Sequence, residues 1–143
     1  MNFTVIDTAE YKQVMEVWEA SVRATHNFLN EADILIYKGL IPNYLDSVNL
    51  YAKRNKSGNI IGFMGIADGN IEMLFIHPDA RGKGIGKEFI EYALTELEAN
   101  KVDVNEQNEQ AVGFYLKMGF KVNSRSETDP QGKPYPILHL VID

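Results

Sequence analysis

Residues 71–87 read IEMLFIHPDARGKGIGK, an apolar run typical of a strand followed by a glycine-rich loop and the start of an amphipathic helix. Backbone N–H groups of such a loop converge where the helix begins, and the helix dipole adds partial positive charge there. Lys83 and Lys87 bring full charges to the same place. The stretch therefore predicts a binding site for a polyphosphate rather than for a single carboxylate.

Two familiar phosphate-binding motifs fail on spacing in this stretch. A dinucleotide fingerprint needs glycine or alanine at its last position, but the two registers of the loop end on Lys87 and Phe89. A P-loop ending at Gly86-Lys87 would need glycine at position 81 and serine or threonine at position 88, where the chain has arginine and glutamate. A nucleotide-binding α/β domain of either kind is therefore disfavoured.

A third pattern fits the loop. Residues 81–86, RGKGIG, have the form [Q/R]-x-x-G-x-[G/A] and follow Ile76-His77-Pro78. This resembles the acyl-CoA pyrophosphate loop of the GNAT (GCN5-related N-acetyltransferase) superfamily. Six residues alone would also suit a glycine-rich turn that binds nothing, so the rest of the chain has to support the resemblance.

A second block, residues 108–120, provides that support. It reads NEQAVGFYLKMGF and resembles the GNAT pattern N-x-x-A-x-x-[LF]-Y-x-x-x-G-F at every specified position. Its apolar residues share one helical face, and Gly119 favours a left-handed helix end. Residues 21–29, 104–108 and 132–136 further resemble the YjaB-type branch of small bacterial GNAT proteins.

The remaining elements follow from hydrophobic periodicity, turn residues and helix caps. Strands are predicted over residues 3–6, 48–53, 60–67, 71–76, 102–105, 120–126 and 137–142. Helices are predicted after Asp7, Asn30, Gly84 and Asn108, and the second is expected to end near Gly39 to Pro42. The resemblance implies an α/β (α+β) GNAT-like fold: a single mixed, mostly antiparallel sheet flanked by helices, with a splayed parallel strand pair in the centre.

The composition is that of an ordinary globular domain. The 143 residues are 45% hydrophobic and 24% charged, so we expect a single domain over residues 1–143. With no apolar run of membrane-spanning length and no signal-peptide core, we expect a cytoplasmic protein. We expect it to be either a monomer or a homodimer. The net charge of −6 argues against nucleic acid and anionic membranes as partners and mildly favours a cationic acceptor.

The residue types also limit the chemistry. The chain has no cysteine, which excludes a cysteine acyl-enzyme, and its three histidines lack metal-ligand spacing, so we expect no metal. We take His77 and His139 as structural or surface residues. Direct attack of an amine within a ternary complex is then the simplest mechanism.

The resemblance implies acetyl-CoA as cosubstrate, with its pyrophosphate on the glycine loop and its pantetheine arm along the preceding strand. The residues expected to bind it are Leu74, Phe75, Ile76, Arg81, Gly82, Lys83, Gly84, Ile85, Gly86, Lys87, Asn108 and Tyr115. In the family a tyrosine at the position of Tyr115 protonates the departing CoA thiolate. Tyr115 could instead be an ordinary core tyrosine, and Asn108 could simply cap its helix.

A general base must remove a proton from the acceptor amine, and Asp103 is the first candidate. Period-two alternation puts Asp103 and Asn105 on one face of their strand. Glu72, Glu106 and His26 are rivals, and Asp103 could also be a solvated strand-end carboxylate.

The resemblance implies that the acceptor is a small-molecule amine or a peptide amine. Residues expected to contact it are Arg23, His26, Phe28, Glu72, Asn105 and Tyr135. Arg23 and His26 could instead complement the end of their helix. A noncatalytic acyl-CoA sensor on the same fold remains an alternative function.

Overall fold

The computed structural model describes residues 3–143 and contains one seven-stranded sheet with four α-helices. The elements are β1 (Phe3–Val5), α1 (Tyr11–Thr25), α2 (Glu31–Leu45), β2 (Asn49–Arg54), β3 (Ile60–Ala67), β4 (Asn70–Ile76), α3 (Ile85–Glu96), β5 (Lys101–Asn105), α4 (Glu109–Met118), β6 (Lys121–Ser126) and β7 (Ile137–Val141). The strand order is β1-β2-β3-β4-β5-β7-β6, and only β4 and β5 pair in parallel. The predicted mixed, mostly antiparallel sheet is confirmed.

The sheet separates two apolar cores. On one face Phe89 and Ile90 of α3, with Tyr115 of α4, pack against strand residues that include Val102 and Leu140. On the other face α1 and α2 cover β2, β3 and β4, and the fully buried residues there are Val14, Leu45, Ala52 and Phe63. Helices therefore flank the sheet on both sides, as expected.

The second helix is longer than its sequence predicts. Asn30 caps it as expected, with its side chain accepting a hydrogen bond from the Asp33 N–H, but the helix runs through Gly39 and Pro42 to Leu45. Pro42 cannot donate the usual hydrogen bond to the carbonyl four residues earlier. Burial of Leu45, which is 0% exposed, offsets that loss because hydrophobic burial in a packed core outweighs local propensity.

The parallel pair of β4 and β5 parts after two residues. Asn70 lies opposite Lys101 and Ile71 opposite Val102, and no further residues pair. On its other side β4 carries a bulge at Glu72, because Gly65 lies opposite Met73 while the next residue of β3 lies opposite Ile71. A bulge bends its strand and increases the local twist. The bulge and the splay coincide, and together they open the centre of the sheet.

Candidate active site

The glycine loop feeds directly into α3. Gly82 and Gly84 have φ angles of +76° and +78°, and no heavy atom lies within 4 Å of a Cβ built on either residue. Gly84 is the N-cap residue of α3 and has no side chain to bond the first amides of that helix. These amides are therefore available to an anion at the helix N-terminus.

Three cations surround this loop. Arg81, Lys83 and Lys87 are exposed, and none of them forms an ion pair with a carboxylate within residues 3–143. Gly86 differs from the other glycines of the loop, because a Cβ at this position would lie 3.4 Å from Ile76 Cδ1 and 3.4 Å from Phe114 Cζ, which is ordinary van der Waals contact. The start of α3 is therefore packed closely against β4 and α4.

A cavity of about 760 Å³ opens where β4 and β5 diverge, bounded by these strands, α2, α4 and the segment that joins β6 to β7. Eight of the predicted site residues line it: the candidate base Asp103, and seven residues predicted to bind acetyl-CoA or the acceptor, namely His26, Glu72, Leu74, Phe75, Asn105, Asn108 and Tyr115. Residues from both stretches that carry the sequence motifs, 71–87 and 108–120, thus line the same cavity. Its size is that of a small-molecule site.

Tyr115 is 6% exposed and lies on the cavity side of α4, with its ring packed edge-on against the rings of Phe114 and Phe120. Its hydroxyl has no hydrogen-bond partner among the described side chains. Burial raises the pKa of Tyr115, so the phenol is protonated at neutral pH. Asn108 also faces the cavity, and its Oδ1 accepts a hydrogen bond from the Ala111 N–H at 3.3 Å, which caps α4.

Two carboxylates lie close together where β4 and β5 diverge. Asn70 Nδ2 donates to Glu72 Oε2 at 2.9 Å and to Asp103 Oδ2 at 3.2 Å. The pKa of Glu72 is raised, first by burial and then by the charge of Asp103. A third carboxylate, Asp129, lines the same cavity, whereas no lysine or arginine of residues 3–143 does.

His139 is not the structural or surface residue that the sequence predicts. It lines the cavity, its Nδ1 lies 2.6 Å from Asp103 Oδ1, and its Nε2 lies 2.7 Å from Ser126 Oγ. Strand β7 inserts between β5 and β6, which places His139 directly opposite Asp103. The sequence signals that the last two strands form a hairpin but not which of them joins β5, so this contact could not be read from spacing.

His26 is 8% exposed, with its ring 5.2 Å from that of Phe28 and 6.2 Å from that of Phe75. Burial, together with the positive charge of Arg81, lowers the pKa of His26 to about 4. The imidazole is therefore neutral at pH 7 and weakly basic, which disfavours it as the general base. The effect of Arg81 also shows that the glycine loop and the end of α1 share one electrostatic environment.

Two predicted residues lie outside the cavity because they form ion pairs elsewhere. Arg23 is exposed and forms ion pairs with Glu19 at 2.9 Å and Glu31 at 2.7 Å, which hold it outside the cavity. Glu106, a rival for the base, bonds Arg125 at 2.6 Å on the surface. In both cases a strong, bidentate partner holds the side chain away from the site.

Two predicted aromatic residues also do not line the main cavity. Phe28 packs behind His26 and against the ring of Tyr135, with 6.0 Å between the latter ring centroids. Tyr135 lines a smaller, adjoining cavity of about 190 Å³, and its hydroxyl donates to Asp33 on α2. Both residues therefore pack beside the main cavity, and their direct contact with the acceptor stays a prediction.

Helix α2 is tied to the segment between β6 and β7. The hydroxyl of Tyr37 donates to Asp129, and Lys133 Nζ lies 3.0 Å from Asp33 Oδ1. Asp129 is 8% exposed, and its other oxygen accepts from the N–H groups of Gln131 and Lys133 at 2.9 Å each. We call these contacts, together with the hydrogen bond from Tyr135 to Asp33, the α2 clasp. They hold α2 over the cavity, so that Tyr37 and Tyr44 become part of its wall.

Residues 3–143 contain no group of three or more histidine, aspartate or glutamate side chains placed to hold a metal ion. None of the helices in that range has both the length and the apolar character that a membrane crossing requires.

Comparison with known proteins agrees with this geometry. Residues 12–134 match the family described as acetyltransferase (GNAT) domain. The peptidyl-lysine N-acetyltransferase YjaB of Salmonella typhimurium strain LT2 is 45% identical over 132 residues, which are 92% of this chain and 91% of that protein. The solution structure of apo-form YjaB from Escherichia coli has a TM-score of 0.90 at 40% identity, over 98% of this chain and 95% of that chain. A PaiA N-acetyltransferase from Thermoplasma acidophilum, in complex with coenzyme A, has a TM-score of 0.68 at 20% identity, over 97% of this chain and 98% of that chain, which shows the fold alone.

Proposed function

The chain belongs to the GNAT acetyltransferase family, and from this we propose that it transfers the acetyl group of acetyl-CoA to the side-chain amine of a lysine in a peptide or protein. One observation carries the choice of acceptor: three carboxylates and no lysine or arginine of residues 3–143 line the cavity. A lysine side chain is cationic at neutral pH, so it suits an acidic cavity. The naming of the YjaB relatives as peptidyl-lysine N-acetyltransferases supports the same acceptor.

The glycine loop fits the pyrophosphate of acetyl-CoA. Open space at Gly82 and Gly84, the uncapped amides at the start of α3 and the exposed side chains of Lys83 and Lys87 together provide donors and positive charge. Leu74 and Phe75 then offer an apolar wall toward the cavity for the pantetheine arm. Because β4 no longer pairs with β5 beyond Ile71, the facing backbone groups of these residues can hydrogen-bond that arm.

The chemistry is direct acyl transfer. The amine nitrogen attacks the acetyl carbonyl, a C–N bond forms, the C–S bond breaks and the thiolate of CoA leaves. We assign the protonation of that thiolate to Tyr115, since its phenol is protonated, faces the cavity and is not engaged with another described side chain. Because a thiolate is a better leaving group than an alkoxide, a weak acid such as the phenol of Tyr115 is a sufficient proton donor.

The amine must lose a proton before it attacks. A lysine ammonium with a pKa of about 10.4 is neutral in about one molecule in a few thousand at pH 7, which corresponds to roughly 4.6 kcal/mol. Acidic surroundings attract the ammonium but also favour its charged form. The site therefore needs a proton acceptor in addition to the carboxylates that attract the substrate.

The direct test is acetylation of a short peptide with a blocked N-terminus and a single lysine, followed by mass spectrometry. We expect one acetyl group on the lysine and stoichiometric release of CoA. The matched control replaces the lysine with norleucine, which has no amine. Thiol release that is equal with both peptides, or acetylation of spermidine but not of the lysine peptide, would contradict the proposed acceptor.

A further inference from the structure

We propose that Ser126, His139 and Asp103 form a proton relay that accepts the proton of the acceptor amine. The proposal rests on the proposed function, because it assigns a step of that reaction. All three side chains line the cavity, and hydrogen-bond distances of 2.7 Å and 2.6 Å connect them in the order Ser126, His139, Asp103.

The register of three neighbouring strands creates the relay. Asp103 on β5 lies directly opposite His139 on β7. On the other side of β7, a register shift in β6 between Val122 and Ser124 brings Ser124 opposite His139 and Ser126 opposite Ile137. Side chains two residues apart share a face of a strand, so Ser126 lies on the same face as His139. The shift in β6 thus places the hydroxyl within reach of the ring.

The hydrogen bonds define which way protons move. An ionised Asp103 can only accept, so His139 Nδ1 carries hydrogen and donates to it, and Nε2 keeps its lone pair. That lone pair accepts the hydroxyl hydrogen of Ser126. The oxygen of Ser126 retains lone pairs that can accept an N–H from an amine in the cavity.

The step balances as a transfer of one proton. As the ammonium gives a proton to Ser126 Oγ, the hydroxyl proton of Ser126 passes to His139 Nε2, and the nitrogen keeps the electron pair with which it attacks the acetyl carbonyl. The imidazolium that forms is stabilised by the Asp103 carboxylate, as in other aspartate–histidine pairs. Ser126 is the group that meets the amine, and Asp103 is a positioning residue.

This assignment replaces Asp103 as the immediate base. Both of its oxygens are engaged, Oδ1 with His139 and Oδ2 with Asn70. The other titratable groups that line the cavity are His26, Tyr37, Tyr44, Glu72, Tyr115 and Asp129. None of these six has a hydrogen bond to Ser126 or His139.

The first test uses His139→Ala and measures steady-state acetylation of the lysine peptide with and without added imidazole. We expect kcat to fall about 10²-fold or more, in line with the usual contribution of a general base, while the affinity for acetyl-CoA stays within about twofold. Added imidazole should restore a substantial part of kcat in a saturable manner, because it fills the space of the missing ring. His77→Ala is the matched control, since His77 lies outside the cavity, and it should neither lose activity nor respond to imidazole.

The second test uses Ser126→Ala beside Ser124→Ala, a serine on the same strand whose side chain does not line the cavity. We expect only the first to lower kcat. Unchanged kcat in Ser126→Ala or His139→Ala, or a loss in a well-folded His139→Ala that imidazole does not relieve, would overturn the relay. An acetyl group found on Ser126 after incubation with acetyl-CoA alone would also overturn it, because serine would then be a nucleophile. Absence of acetyl-lysine with the unaltered protein would instead reject the proposed acceptor.

Discussion

Glu72 and Asp103 accept hydrogen bonds from the same amide nitrogen, Asn70 Nδ2, at 2.9 and 3.2 Å. Two carboxylates that lie close enough to share a donor repel each other, which contributes to the raised pKa of Glu72. A cationic substrate relieves this repulsion when it binds between them. The arrangement therefore favours a positively charged acceptor over a neutral one.

We expect Glu72→Gln to raise the KM for a lysine peptide about fivefold to tenfold, because the ammonium loses one opposite charge in a partly desolvated site. The affinity for acetyl-CoA should be unchanged. Steady-state kinetics at low and high salt would show a smaller difference at high salt. Glu91→Gln, an exposed glutamate on α3, serves as the control and should leave KM unaltered; a KM for Glu72→Gln equal to that of the unaltered protein would reject this attraction.

We expect Tyr115→Phe to lower kcat about 10²-fold or more while the dissociation constant of acetyl-CoA stays nearly constant. The variant keeps the ring that packs against Phe114 and Phe120 and removes only the hydroxyl. Tyr92→Phe is a matched control, since Tyr92 packs against Phe3 and Tyr51 away from the cavity. Parallel losses of turnover and of cofactor affinity in Tyr115→Phe would argue against its role as proton donor.

We expect Gly84→Val to weaken acetyl-CoA binding at least tenfold by calorimetric titration, because a side chain at a φ of +78° strains the loop and occupies the mouth of the anion site. The matched control is Gly58→Val, which introduces valine at a φ of +84° in the turn between β2 and β3. Both variants should lose stability by about 1–2 kcal/mol, but only the first should lose affinity. Equal affinity in the two variants would reject the loop as the pyrophosphate site.

We expect the stability of the protein to depend on pH through His26. Its pKa is lowered from 6.5 to about 4, so between these values the unfolded chain binds a proton that the folded chain does not. The stability that neutral His26 contributes is therefore complete above pH 6.5 and is lost as pH falls toward 4. We expect the free energy of unfolding to decrease by an amount on the order of 2 kcal/mol between pH 7 and pH 5. Urea denaturation should show a smaller decrease for His26→Gln. Identical pH dependence in the two proteins would contradict the assignment, and His77→Gln provides the control at a half-buried histidine.

The sequence predicts this molecule well where local backbone geometry determines where a residue lies. Gly84 and Asn108 are the residues at which α3 and α4 begin, and helix starts of this kind can be recognised from the spacing of residues in the sequence. Tyr115 could be placed on the inner face of α4 for the same reason, since helical periodicity fixes its direction.

The prediction fails where the site depends on which strands are neighbours. His139 contacts Asp103 only because β7 lies between β5 and β6, and nothing in the spacing of the last hairpin specifies that order. Arg23 was expected in the pocket beside His26, but α1 ends at Thr25, His26 is buried just after that end, and Glu19 and Glu31 hold the exposed arginine on the surface. Long-range partners of this kind are set by tertiary packing, which periodicity alone does not contain.

The α2 clasp constrains how the acceptor preference of this enzyme can diverge. Tyr37 and Asp129 are 92 positions apart in the chain, and Tyr135 and Asp33 are 102 positions apart, yet each pair depends on both of its members. Loss of Tyr37 alone would leave the buried carboxylate of Asp129 with one fewer donor, at a cost of about 1–3 kcal/mol. Replacing Tyr37 and Asp129 together, one from the N-terminal half of the chain and one from the C-terminal half, therefore costs less stability than replacing either alone. In an evolving lineage, a change of substrate that reshapes this part of the wall favours paired substitutions in two distant codons.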